Sequence, residues 1–527
     1  MSVLKRHDWQ VGHVGWQVYW VPERRLIPAD RIPVLAGMED LSEREDRLGI
    51  HPGDPTMLSP DYRIDELLSR YLCRSGFAKL APETKRNYTD DYCLFFDFLW
   101  DRGKAWNQAT DDDLADFEYW RTRASANPGR VGGSRWNRGL AALTRLYEWA
   151  ERREHVVRNP VLMRDFVGRS GTVIRVPQAR AKDAKTSDVH WLTPRTFRLW
   201  VDVGLRGHTA QGVPAAGWVG RLEDRNAAFA DLLLSSGMRL TEAASLLTIE
   251  MPRTRLGGAR YYPGRLAPVV TKSRRARTFY ASAPVVGEVE GYAESSRADV
   301  IRRAQARGRY ERLPQMRLVT KVTGLRKKVL HWRDQDGIEG RTALSEADVA
   351  ERLTLFIEGP AGPEPLWLWL NESGLPFRPA SWENVFRTAS LRCAEVLDGV
   401  VAEPPYCTPH MARHSFALFM LVVLHHVVDL RMGLTPEERR DFRLLYGDPW
   451  RMVQDLLGHA QLETTREIYL APVSDLQLRS LLAEPEPAEG DGEGWSQDRV
   501  TSLLARIAEE SEGIQDIDAK LTAAVSA

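Results

Sequence analysis

Cysteine is scarce in this chain. It has four in 527 residues, Cys73, Cys93, Cys393 and Cys407. Their spacings match neither a zinc ribbon nor a redox pair, so the sequence predicts reduced thiols, no structural metal and a cytoplasmic setting. Long apolar runs are also lacking. None reaches the roughly 18 residues of a membrane-spanning helix. The opening MSVLKRHDWQVG carries charges with no apolar core behind them, unlike a signal peptide. No Asp-rich carboxylate pair of the kind a two-metal nuclease needs stands out. Net charge is absent too, with 72 basic and 72 acidic residues.

That balance hides an uneven distribution. From Glu484 to Asp518 there are 11 acidic and 2 basic residues, so the rest of the chain carries about +9. From Arg302 to Lys328 there are 10 basic residues and one acid, Glu311. A basic cluster of this density either neutralises phosphates or is a solvated face.

Hydrophobic periodicity divides the chain. Residues 1–55 are mixed and read as an N-terminal extension. Residues 56–165 read as a compact helical domain. Tyr88, Tyr92, Phe95, Phe96 and Leu99 form one helical stripe, and Leu140, Leu143, Leu146, Tyr147 and Ala150 form another, stopped by Asn159-Pro160. Residues 166–190 are polar and basic and read as an interdomain linker. Residues 191–480 form the largest region. Thr193 and Pro194 predict a helix start. RLAPVVTKSRRARTFYASAP predicts a β-hairpin, and helix is expected again over ALSEADVAERLTLFIEG. Stretches at about 292–365 and 427–450 read as insertions. Residues 481–527 form an acidic tail of disordered composition with a short terminal helix carrying Val500, Leu503, Leu504 and Ile507. The expected fold class is mainly α, with a small β-hairpin or sheet in the larger domain.

Four pieces of the larger region hold candidate chemistry. In SSGMRLTEAASLL, Arg239 and Glu242 are three apart and share a helix face. Lys272 stands in the turn of the predicted hairpin, where a charged tip either projects into a groove or merely keeps the turn soluble. In TPHMARHSF, His410 and Arg413 share a face at a helix start favoured by Pro409. The apolar run behind them means that these charges need partners, either a phosphate or a core carboxylate. In DLLGHAQLETTREIYL, Gly458 breaks a helix, His459 follows, and Thr464 with Glu467 fits a capping box for a short helix bearing Tyr469.

Together these pieces resemble the tyrosine recombinase (phage integrase) family, as a large integrase or transposon-type member. The family's marks stand here in order as GMRLTE, TKSRRAR, HMARH, LLGH and TTREIY. The resemblance spans about 56–480, with 56–165 similar to the helical, SAM-like core-binding domain. It implies that Arg239 and Arg413 clamp a phosphate, Lys272 is the hairpin acid, His410 and His459 assist, Tyr469 attacks, and Glu242 supports the pocket. It also implies a two-domain clamp on double-stranded DNA with specific half-sites and four protomers on DNA. A monomer in free solution and accessory proteins are compatible with it. No metal or other cofactor is implied, and no membrane; the protein would be associated with a nucleoid or mobile element. Two alternatives stay open: a type IB topoisomerase-like relaxing enzyme, and a non-catalytic sequence-specific DNA-binding protein. The chain departs from a compact member between Arg239 and His410, 171 residues apart, and between Arg413 and His459, 46 apart. The basic stretch in the first gap supplies further DNA-contact candidates: Arg302, Arg303, Arg307, Arg309, Lys321, Arg326, Lys327 and Lys328.

These residue types suit the chemistry. Two guanidinium forks can meet the nonbridging oxygens of a phosphodiester as charge builds in the transition state. Surrounding positive charge favours the phenolate of a tyrosine whose ordinary pKa is near 10. Lysine can protonate the leaving 5′-oxygen.

Overall fold

The computed structural model describes residues 15–22, 41–74, 76–167, 173–181, 190–254, 261–313, 315–324, 327–426 and 449–458. The chain divides into two compact units, Met1–Thr186 and Ser187–Ala527. Helices dominate both, and each also contains small sheets.

The first unit contains β1 (Gln17–Trp20), α1 (Leu41–Leu48), β2 (Pro55–Leu58), α2 (Glu66–Arg74), α3 (Pro82–Trp100), α4 (Asp111–Thr122), α5 (Gly133–Arg152), β3 (Met163–Val167) and β4 (Val173–Pro177). The predicted stripes form its core. Tyr92, Phe95, Phe96 and Leu99 of α3 meet Leu140, Leu143, Leu146, Tyr147 and Ala150 of α5. Each large side chain buried here contributes about 1.5–3 kcal/mol. At the start of α4, the Thr110 hydroxyl accepts from the Asp113 amide, and the Asp113 carboxylate accepts from the Thr110 amide at 2.9 Å.

Two expectations change in this unit. Part of the N-terminal extension belongs to its core. β1 pairs antiparallel with β2, the Trp16 amide donates to Asp97 at 2.6 Å, and the Trp16 ring lies edge-on to Phe96. The expected linker 166–190 is in part a hairpin of β3 and β4. The residues after it are fastened to α5: Trp136 Nε1 donates to the Ala179 carbonyl, and the Asn137 amide exchanges hydrogen bonds with Ala181. A polar composition did not prevent order there, because side chains of α5 satisfy the segment's backbone groups.

The second unit contains α6 (Pro194–Trp200), α7 (Glu223–Ser236), α8 (Leu240–Ala244), β5 (Tyr261–Leu266), β6 (Arg277–Ser282), α9 (Ala283–Glu294), α10 (Ser296–Ala306), β7 (Arg317–Thr323), β8 (Val329–Asp334), β9 (Glu339–Ala343), α11 (Val349–Arg352), β10 (Leu355–Gly359), β11 (Gly362–Pro365), α12 (Trp382–Val396), α13 (Pro409–His426) and α14 (Pro449–Leu457). Thr193 caps α6 as expected, its hydroxyl accepting from the Thr196 amide, with Pro194 in the first turn. The expected hairpin is β5–β6, in register from Tyr261↔Ser282 to Leu266↔Arg277.

Helix was expected over residues 343–359 and is mostly not found. Asp348 caps only the four-residue α11, and Leu355–Gly359 forms β10, which pairs parallel with β7 and antiparallel with β11. The five-stranded sheet runs β11-β10-β7-β8-β9. Leu355 and Phe356 are buried in succession, so alternation is lost and the strand looks like an apolar helix segment in sequence. Among the described residues no helix is long and apolar enough to cross a membrane.

Candidate active site

The site begins where α7 ends. Gly237 closes that helix at φ +60°, and a Cβ there would lie 2.2 Å from the Phe416 ring of α13. Only glycine allows both the left-handed turn and this approach. Arg239 follows in extended conformation as the residue capping α8, one position outside the helix rather than on its face. Its amide donates to Glu242 Oε2 at 2.8 Å and its Nη1 to Oε1 at 3.1 Å. Glu242 is 1% exposed, whereas the Arg239 side chain keeps 27% of its surface in solvent. Burial alone would raise the Glu242 pKa. The Arg277 guanidinium, the Arg239 amide and the charges of Arg413 and Arg239 outweigh it and hold the carboxyl below its ordinary value.

The β5–β6 connection carries Lys272. Pro268–Val270 makes one 3₁₀ turn, and the buried Thr271 hydroxyl lies 2.9 Å from the carbonyls of both Pro268 and Arg275. Arg274 adopts φ +54° as the chain reverses. Lys272 is exposed next to the anchored Thr271. Five residues on, Arg277 opens β6 with its side chain 9% exposed. Its Nη2 meets Glu242 Oε2 at 2.5 Å and its Nη1 meets the Leu456 carbonyl at 2.8 Å. Sequence reading passed over Arg277, because within the run RRAR nothing local marks it.

α13 presents His410 and Arg413 from its first turns, as expected. Arg413 is 1% exposed; Nη1 donates to the Gly237 carbonyl, and Nη2 donates to the Leu457 carbonyl at 2.6 Å. Arg413 thus joins the end of α7 to the end of α14. His410 is solvent-accessible on the same helix. Partial desolvation, with the charges of Arg413, Arg239 and Lys272, lowers its pKa below the ordinary 6.5. The buried His414 ring stands edge-on to His410 at 4.3 Å, a neighbour the sequence reading did not weigh.

α14 ends at Leu457, and Gly458 turns the chain at φ +65°. His459, Thr464, Glu467 and Tyr469 lie outside the described residues, as do Tyr446, Arg326, the acidic tail and the stretch 427–448. Among the described residues no group of three or more His, Cys, Asp or Glu side chains is arranged to hold a metal.

The basic stretch 302–328 is dispersed over several elements. Arg302 pairs with Asp299 on α10, and Lys328 donates to the Ile249 carbonyl at 2.7 Å. Arg317 pairs with Glu351 and lies over the Trp332 ring. Arg303, Arg307, Lys321 and Lys327 are exposed, and Arg309 is half-buried. Register adds two residues that the count missed: Lys321 of β7 lies opposite His331 of β8, which lies opposite Arg341 of β9.

Residues 75–154 match the phage integrase N-terminal SAM-like domain. That match covers the helical core of the first unit and is a similarity of this segment alone. The chain is also similar to several solved structures. One is the XerH site-specific recombinase bound to palindromic difH in a post-cleavage complex, at 12% identity, covering 79% of this chain and 81% of that one, with a TM-score of 0.41. Another is the Tn1549 transposon integrase (aa 82–397) with circular intermediate DNA, at 12% identity, 79% and 98% coverage, and a TM-score of 0.37. A third is the XerA recombinase, at 14% identity, 80% and 99% coverage, and a TM-score of 0.27. Identities this low carry no residue role from one protein to another. No curated protein matches the chain.

Proposed function

We propose that the protein is a site-specific DNA recombinase that cuts and rejoins strands through a 3′-phosphotyrosyl intermediate. The observation that supports the reading is the network at Glu242, which joins Arg239 to Arg277 of the Lys272 hairpin, with Arg413 holding the Gly237 carbonyl two residues before Arg239. Such a cluster of cations suits a phosphodiester and the extra charge of its pentacoordinate transition state.

In the proposed reaction the Tyr469 oxygen attacks phosphorus as its proton departs. A tyrosyl O–P bond forms, the P–O5′ bond breaks, and Lys272 protonates the leaving 5′-oxygen. Arg239 and Arg413 stabilise the nonbridging oxygens. His410, whose pKa is lowered by partial burial and by its cationic neighbours, is suited to share a proton with one of those oxygens, and His459, next in sequence to Gly458, is assigned the same task. The phosphotyrosyl ester stores the bond energy, so a 5′-hydroxyl from a second strand reverses the step.

The catalytic domain in this reading is 191–480, with the helical 56–165 as the second arm on double-stranded DNA and four protomers on paired half-sites. The sheet from β7 to β11 falls within the insertion at about 292–365. Its cross-strand row of Lys321, His331 and Arg341, with Arg303, Arg307 and Lys327 nearby in sequence, extends the proposed DNA contact. Arg326 belongs to the same proposal.

The test is covalent trapping on a randomised pool of nicked DNA duplexes, with EDTA present. Wild type should give an adduct that survives denaturing gels. Lys272→Ala should lose it on ordinary DNA and regain it on DNA with a bridging 5′-thiol, whose departure needs no proton. Failure of wild type to form any adduct would overturn the reading.

A further inference from the structure

We infer that Arg277 is a positioning residue of this pocket, which sets Arg239 through Glu242 and fixes the end of α14 where the chain turns. The inference rests on the proposed strand-transfer reaction. Its observations are independent of it.

Arg277 joins three segments that are remote in sequence. It opens β6, five residues after Lys272 on the same hairpin. Nη2 holds Glu242 at 2.5 Å, on the oxygen that also accepts the Arg239 amide. Nη1 holds the Leu456 carbonyl at 2.8 Å, while Arg413 takes the next carbonyl, Leu457, at 2.6 Å. The last carbonyls of a helix have no partner within it, and the helix end carries partial negative charge. Two guanidinium groups on successive carbonyls therefore dock α14 in both position and direction. Gly458 completes the fit. A Cβ there would lie 2.7 Å from Arg277 Cδ and 3.2 Å from Nε, so a side chain would displace the arginine. Nε itself has no hydrogen-bond partner among the described residues, despite its burial.

A buried arginine can be no more than a staple. The shared carboxylate argues for a finer role. Glu242 divides its charge between Arg277 and Arg239. With Arg277 gone, the carboxylate has one guanidinium left within bonding distance at that end, and it would hold Arg239 more tightly and neutralise it more fully. Arg239 would then be less available to a phosphate. The position of Lys272 would loosen at the same time, because Arg277 ties the base of its turn to the pocket floor. Lysine at 277 can keep the charge against Glu242 but cannot span the carboxylate and the Leu456 carbonyl with one fork.

The experiment compares full-length Arg277→Ala and Arg277→Lys with wild type in two measurements. In amide hydrogen exchange, both variants should exchange faster in peptides covering residues 449–458. In adduct formation on the randomised nicked-duplex pool, Arg277→Ala should be slower by about 10²-fold at saturating DNA with affinity changed by less than about threefold, a loss confined to the chemical step. Arg277→Lys should recover about half of that loss on a logarithmic scale. Adding Glu242→Gln to Arg277→Ala should raise the rate above that of Arg277→Ala, which a staple would not do. Wild-type adduct rates in Arg277→Ala would overturn the inference, and so would a loss of affinity equal to the loss of rate. If wild type forms no adduct, the recombinase reading fails and the catalytic part of this inference fails with it. The exchange measurement still decides whether Arg277 docks α14, and unchanged exchange would remove that part also.

Discussion

Two buried arginine–glutamate pairs, Arg277–Glu242 and Arg352–Glu250, have glutamates eight residues apart in the chain, and they are built differently. In each, the carboxylate accepts from a backbone amide three residues upstream: Glu250 from Leu247 at 3.0 Å, and Glu242 from Arg239 at 2.8 Å. Arg352 then saturates Glu250. It meets both carboxylate oxygens at 2.6 and 3.0 Å and gives its other donors to the carbonyls of Ser245, Ala347 and Leu344. All five of its N–H groups are used, and its side chain is 0% exposed. Among the described residues Arg277 places two donors, and its carboxylate also serves a partly exposed arginine. The first pair is a closed clamp that holds the inserted sheet to the segment after α8. The second shares one carboxylate between two arginines, of which Arg239 keeps part of its side chain in solvent.

The difference predicts opposite signatures. Arg352→Ala leaves Glu250 buried and unpaired and should cost about 3–5 kcal/mol of stability, read by urea unfolding. A loss below about 1 kcal/mol would erase the contrast between the pairs. Arg239→Ala should do the reverse. Its adduct rate should fall by about 10²–10³-fold, or about 3–4 kcal/mol of barrier, with little change in unfolding midpoint. Equal losses in binding and rate would make Arg239 a plain DNA contact.

Glu242→Gln should fall between these, costing about 1–3 kcal/mol at neutral pH. The sign follows from the depressed carboxyl. With a folded pKa below the ordinary 4.5, its stabilisation is complete above that value and is lost as pH falls through the folded pKa. The variant should therefore lose part of the acid limb of the stability profile, and an unchanged limb would remove the carboxylate from the network. The smallest effect belongs to the sheet. Replacing Lys321 and Arg341 by Ser should lower the log–log salt slope of DNA binding by about 2 units, and an unaltered slope would leave the row a solvated surface.

Much of this was legible in the sequence where local pattern and tertiary role agree. The stripes of α3 and α5 are long and strictly periodic, so they read as helices and bury as read. The hairpin, the helix start at Pro409 and the glycine before Arg239 are marked by their own residues. The inserted sheet was not legible. Its strands are short, β9 reads EGRTA, and β10 is apolar on successive residues; parallel pairing with β7 decides its conformation. Arg277 escaped for a related reason. It lies 35 residues from Glu242 and 179 from Leu456, so only the folded chain distinguishes it from Arg274 and Arg275. The order of Ala179 and Ala181 depends likewise on distant partners, Trp136 and Asn137.

The most direct test of the strand-transfer reading is to digest the trapped protein–DNA adduct and identify the modified residue by mass spectrometry. The expected result is a phosphotyrosyl link on the peptide that contains Tyr469, absent in Tyr469→Phe while DNA binding persists. A link at Tyr446, at any other side chain, or an adduct undiminished by Tyr469→Phe would contradict it.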